Sequence, residues 1–174
     1  MPAISTPDSP EACADAARAA EQAYDYEMAG ELWLGAVRAS TAAEAPQRLA
    51  DYAEFLVERL GQVEACAAWL DDPAFAPPGD WKSSTLRRLW ALVGAAAAAT
   101  AHPRSADLDV ALVDAGDGAA VARTAARWAA GGEIDRSAAL LHAHTASLPA
   151  DGVALLDRLR ADRQVAAQAA LQPL

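Results

Sequence analysis

The sequence predicts an all-α protein, about five helical hairpins stacked side by side and closed by a C-terminal capping helix, and three observations predict it. Of 174 residues, 53 % are apolar and 49 are alanine, the residue with the best intrinsic helix propensity. No stretch sustains the alternation of β-branched and polar residues that marks a strand. Proline, glycine and N-cap residues recur at a steady interval, so that hairpins start near residues 10, 44, 80, 117 and 150, in steps of 34, 36, 37 and 33. An interval of roughly 35 residues is the period of stacked helical hairpins, in which each unit covers the apolar face of the next.

The elements follow in order. A first helix begins after Pro10 and turns near Tyr24 and Asp25, and a second runs from Tyr26 to about Thr41. A third spans Ala45 to Leu60, Gly61 makes the turn, and a fourth runs from Gln62 to Leu70. Three prolines and a glycine between Asp71 and Asp80 admit no helix. Asp80 is expected to cap a long helix from Trp81 to about Ala101, which Pro103 stops. Ser105 is expected to cap a short helix, Ala106 to Ala115, and Asp117 another, Gly118 to Ala130. Gly131 and Gly132 form the next turn, a helix follows from Glu133 to Ser147, and residues 151–171 form one helix or two. Residues 1–9 read as a flexible N-terminus and residues 10–174 as a single helical-repeat domain.

Composition excludes several classes. Two cysteines, Cys13 and Cys66, are too few for a disulfide scaffold, and the hydrophobicity is too high for a disordered chain. The formal charge is −10, and it is uneven: residues 1–80 carry 15 Asp/Glu against 4 Lys/Arg, whereas residues 81–174 carry 9 against 10. Nucleic acid and anionic membranes, which need clustered Lys/Arg, are therefore not expected partners, and a basic segment of another protein fits better. The same charge also serves an ordinary purpose in keeping an alanine-rich chain in solution. Met1 to Pro10 has neither the basic nor the apolar region of a secretory signal, and the most apolar stretch, Leu89 to Ala101, is shorter than a bilayer span. The expected compartment is the cytoplasm.

Catalytic and metal-binding patterns find no footing. His142 and His144 stand two apart on a helix and so point to different faces. Asp71-Asp72 lacks a third acidic ligand and sits beside Pro73, as a helix terminus would. No glycine cluster lies between a strand and a helix, as a phosphate loop requires, and no serine has a nucleophile elbow around it. The expectation is a non-enzyme without metal or cofactor.

The segment Tyr26 to Val37 resembles the second helix of a tetratricopeptide repeat. Tyr26, Ala29, Trp33 and Ala36 occupy the places where that family carries an aromatic, a small residue, a large ring and a small residue. Cys13, Ala16, Ala17 and Ala20 stand at the family's first-helix positions, Cys13 replacing its usual Trp and Ala20 its usual Tyr. Ala50, Ala53, Val57, Val63, Cys66 and Leu70 repeat the pattern around Gly61, and Val121, Thr124, Ala125, Trp128, Ile134, Ser137 and Leu141 repeat it around Gly132. Residues 81–116 keep the period without the pattern. The resemblance implies a right-handed α-solenoid in which alanines let helices approach closely and rings fill the grooves between hairpins.

It also implies where a partner lies, on the surface lined by the first helix of each hairpin. In that register the groove positions are Glu11, Ala14, Arg18, Glu21 and Gln22 in the first unit and Arg48, Asp51, Phe55, Glu58 and Arg59 in the second. In the fourth unit they are alanines, Ala119, Ala122, Ala126, Ala129 and Ala130, an almost featureless face. The chain has a single lysine, Lys82, and no asparagine, so it departs from the family members that clamp a C-terminal carboxylate with Lys and Asn. The family's small acidic secretion chaperones are closer in size and charge. The expected function is protein binding, adaptor or chaperone-like, in an acidic N-terminal groove that holds a basic or helical segment. The alternatives are a self-assembling structural protein, forming homo-oligomers through the ends of the stack, and a small-ligand or enzymatic domain with a pocket under the 71–80 loop near Trp69, Phe75 and Trp81.

Overall fold

A computed structural model describes residues 9–73 and 75–170. The expected flexible N-terminus, apart from Ser9, and the end of the last expected helix at Leu171 lie outside the described residues. The described residues are all-helical, with no strand among them, and they divide into two compact units between His102 and Pro103. No described helix is long and apolar enough to cross a membrane.

The N-terminal unit opens with α1 (Pro10–Gln22). Pro10 supplies a preset φ at the first helical position, and Ser9 Oγ accepts a hydrogen bond from Ala12 N at 3.1 Å. The second helix, α2 (Tyr26–Ala39), is capped by Asp25 Oδ1, which accepts from Met28 N at 3.1 Å. Helix α3 (Ala45–Glu54) follows a turn in which Thr41 N and Oγ1 both donate to Glu44 Oε2. Those two bonds hold the Glu44 carboxyl below its ordinary pKa, the hydroxyl contributing most. Helix α4 (Val63–Ala67) tightens into a 3₁₀ turn at Ala68–Asp71, and after the proline loop α5 spans Ser84–Ala99. Helix α1 packs on α2, α2 on α3, and α5 on both α3 and α4.

The core of this unit is built largely of alanines. Ala14, Ala17, Ala29, Ala36, Ala50 and Ala53 are fully buried, and Trp33 and Phe55 are the large rings among them. A continuous run of rings crosses the unit from Tyr24 through Tyr26, Phe55, Tyr52, Trp69 and Phe75 to Trp90, with neighbouring centroids 4.5 to 6.4 Å apart. Phe75 thereby brings the proline loop onto Trp69 and Trp90 and occupies the space beside them. Burial raises the Tyr52 pKa, partly offset by the positive charge of Arg38.

Three expectations about helix ends need correction. Helix α5 starts at Ser84, because Ser83 Oγ accepts from Leu86 N at 3.3 Å; Asp80 instead closes a local turn by accepting from Lys82 N. Ser105 is the first residue of its helix and caps nothing, the cap position being Arg104. The third helix does not stay α-helical to Leu60. Phe55–Arg59 forms a π turn, in which Leu60 N donates to Phe55 O at 3.2 Å, five residues back.

The C-terminal unit comprises α6 (Ser105–Asp114), α7 (Gly118–Ala130), α8 (Ile134–Ala143), a 3₁₀ turn at Thr145–Ser147 and α9 (Ala150–Ala170). Asp117 caps α7 as expected, accepting from Ala120 N at 2.7 Å. The stretch after Pro149 is one helix. Helix α7 packs on α6, α8 and α9, and α8 also packs on α9. The apolar centre is Val121, Ala125, Leu141, Leu156 and Leu159.

Beside this centre lies a buried charge cluster. Asp109 is 0 % exposed and accepts from Arg123 Nε and Nη2 at 3.0 and 2.6 Å on one oxygen, and from Arg127 Nη1 at 2.8 Å on the other. Beyond Leu159, residues 160–168 of α9 are all exposed.

Helix ends share one device. After α1, α5, α6 and α7 the chain turns through a left-handed residue, namely Tyr24, Ala101, Gly116 and Gly132. The amides of that residue and the next bond back to the last turn, as Tyr24 N does to Glu21 O and Asp25 N to Ala20 O. Gly61 also has positive φ. Glycine adopts this conformation freely, whereas a side chain costs about 1 kcal/mol or more. Tyr24, at φ 60°, carries that cost with its ring 80 % exposed.

Candidate functional site

Within the N-terminal unit, side chains from α1, α2, α3, the π turn and α5 line a cleft of about 240 Å³. Its floor is Trp33 and Phe55, both buried. Glu21 spans the first wall: Oε1 accepts from Trp33 Nε1 at 2.7 Å, and Oε2 faces Arg59 Nε at 3.4 Å. Arg18 lies over the Trp33 ring, its guanidinium carbon 5.4 Å from the ring centroid, and pairs with Asp15 at 2.8 Å.

Asp51 is the charge centre of the second wall. Its Oδ1 accepts from Gln47 Nε2 at 2.8 Å and from Arg88 Nη1 at 3.0 Å. Its Oδ2 makes no hydrogen bond and lies at ion-pair range from Arg18 and Arg48, at 3.6 and 3.8 Å. Arg88 also pairs with Glu54.

Three interactions in this unit join residues 37 or 38 positions apart. Glu21 meets Arg59 across 38 residues, Asp51 meets Arg88 across 37, and Gln47 meets Thr85 across 38. They run from α1 to the π turn and from α3 to α5.

The π turn shapes the wall it belongs to. Its wider loop leaves Phe55 and Leu56, consecutive in sequence, both buried while Glu58 and Arg59 stand exposed. Single π turns inside α-helices are frequent at functional sites. Phe55, Glu58 and Arg59 of this turn all line the cleft.

Of the nine expected partner-binding residues, Arg18, Glu21, Asp51, Phe55, Glu58 and Arg59 come together around this cleft. Arg48 sits behind the lining, against Asp51. Gln22 lies on an adjoining basin of about 470 Å³ that shares Arg18, Glu21 and Arg59 with the cleft and adds Tyr24 and Tyr26. Glu11 lines neither and stands in the first turn of α1, where a carboxylate complements the helix dipole. Ala14, placed in the groove by family register, is fully buried in the core instead.

Sequence reasoning did not place Glu54, Arg88, Tyr24 or Tyr26 here. The interval of roughly 35 residues between punctuating residues was the missed signal for Arg88, which lies 37 residues along from Asp51. The charge of the lining is nearly balanced, with Glu21, Asp51, Glu54 and Glu58 against Arg18, Arg59 and Arg88. Among these carboxylates Glu58 alone makes no ion pair.

Elsewhere in the unit, Asp71 ends the 3₁₀ turn with Oδ1 3.2 Å from His102 Nε2, consistent with a helix terminus. Both cysteines are buried, and burial pushes the Cys66 thiol up to about 11. Comparison with family models, with curated proteins and with solved structures returns no match for this chain.

Proposed function

We propose that the N-terminal unit is a non-catalytic protein-binding module, adaptor or chaperone-like, that holds a basic segment of a partner protein in the cleft. The observation that carries the reading is the convergence of Arg18, Glu21, Asp51, Phe55, Glu58 and Arg59 on one concave surface floored by Trp33. Trp, Tyr and Arg in a recess are the residue types that dominate binding energy at protein interfaces. Because the other carboxylates are already matched, the basic group of the partner meets Glu58. The same reading takes the hairpins as a right-handed stack similar to tetratricopeptide repeats, with contacts recurring one period apart in the N-terminal unit as its support.

The test is fluorescence anisotropy of a labelled Lys-rich amphipathic peptide with the full chain. Binding is expected to weaken with added salt and to fall about tenfold in Glu58→Lys, a substitution on an exposed position that leaves the internal pairs intact. Affinity indifferent to both would sink the reading.

The second reading, self-assembly, has its own observation in α9, whose residues 160–168 are exposed with Val165 at 65 %. A light-scattering mass that rises with protein concentration and returns to the monomer in Val165→Glu would favour it. A mass that stays monomeric excludes it.

A further inference from the structure

We propose that Tyr24 and Tyr26 form the apolar anchoring end of the cleft, taking one uncharged, apolar side chain of the basic partner while its Lys or Arg pairs with Glu58. This inference rests on the binding function proposed above and fixes the chemistry and direction of the segment bound.

Tyr24 is the anomaly that motivates it. The left-handed turn residue after α6 and α7 is glycine and after α5 the small Ala101, yet after α1 the chain spends the same conformation on a large side chain, a tyrosine that is 80 % exposed. The ring meets the edge of Tyr26, with centroids 6.3 Å apart and planes at 77°, and the residue stays 80 % exposed, so it adds little to the core. What the tyrosine adds is a large aromatic surface on the rim of the basin, next to Arg18 and Arg59.

Charge sets the direction of the segment. The basin holds two guanidiniums against the single carboxylate of Glu21, which is already shared between Trp33 and Arg59. A lysine entering there would meet like charge, whereas an apolar side chain meets two rings. Glu58, without an ion pair, and Glu54, beside Arg88, line the cleft and not the basin. An amphipathic basic segment therefore lies with its apolar residue at the tyrosines and its cation at the π turn.

Three variants of the full chain separate the possibilities, with a fluorescein-labelled helical peptide bearing Lys and Leu one turn apart on one face as the probe. Tyr24→Gly is expected to melt no lower than wild type, because glycine relieves the backbone, and to bind the peptide at least about tenfold more weakly. Tyr24→Phe is expected to bind as wild type does. Replacing the peptide's Leu by Ala should weaken binding to wild type but not to Tyr24→Gly, the coupling expected of two groups in contact. Tyr24→Gly binding as tightly as wild type, or melting lower, would overturn the anchoring role. If Glu58→Lys still weakens binding in that case, the protein-binding reading survives without it. A wild-type chain that does not bind the peptide overturns both.

Discussion

Asp109→Ala should destabilise the C-terminal unit by about 2–4 kcal/mol. Removing one member of a buried ion pair typically costs about 3–5 kcal/mol, because the partner is left desolvated and unpaired. Arg123 and Arg127 are 23 % and 39 % exposed at their side chains, so each can swing part of its guanidinium into water, which places the cost at the lower end. The converse substitution is harsher. Asp109 is 0 % exposed and has no route to solvent, so the double variant Arg123→Ala, Arg127→Ala should cost more than Asp109→Ala despite deleting only the more accessible charges. The assay is hydrogen exchange read by mass spectrometry on peptides covering α6 and α7, with urea unfolding followed by circular dichroism. A cost for Asp109→Ala within about 0.5 kcal/mol of zero, or the reverse order of the two variants, would refute the reasoning.

Other substitutions and conditions have equally definite outcomes. A Cβ on Gly118 would lie 1.7 Å from the Ser147 carbonyl oxygen, a backbone atom that cannot rotate away, so Gly118→Ala should cost about 2 kcal/mol or more, seen as a lowered urea midpoint. Cys66 should resist iodoacetamide at pH 8 in the folded chain and react on unfolding, since its thiol is buried and its pKa stands near 11. Its folded pKa lies above the ordinary 9.0, so the folded state holds the proton longer, and stability should decline as pH rises from 9 to 11. A urea midpoint constant across that range, or unchanged in its slope with pH by Cys66→Ala, would contradict this.

Much of the N-terminal unit was legible in the sequence because its signals are local. Pro10, Asp25 and Gly61 act within a turn of their own position, as Asp117 does in the C-terminal unit, and alanines at helical spacing declare the face that meets another helix. The start of α5 was misread because two capping residues lie within reach: Asp80 and Ser83 both suit a cap, and the geometry of the proline loop, set by Phe75 on Trp69 and Trp90, decides between them. The π turn was illegible for a different reason. Nothing in Phe55–Arg59 forbids an α-helix, and the extra residue is tolerated because Phe55 must reach Tyr26 and Tyr52 while Leu56 is also buried. Counting charges gave the acidic excess of residues 1–80 but not its pairing. Arg88 belongs to the other half of the charge count, yet it makes the shortest ion pair to Asp51, beside Arg18 and Arg48.

The π turn also bears on how this chain can change length. Deleting a residue from an α-helix rotates everything beyond it by about 100° and moves each apolar face out of the core. At Phe55–Arg59 the backbone already holds one residue more than an α-helical turn needs, so loss of Val57 alone would return the segment to ordinary geometry and leave α3 and α4 facing as they do. The helix before Gly61 is thus a place where this unit can shed one residue and still fold, and the shortened form would give up the outward set of Glu58 and Arg59 that makes one wall of the cleft.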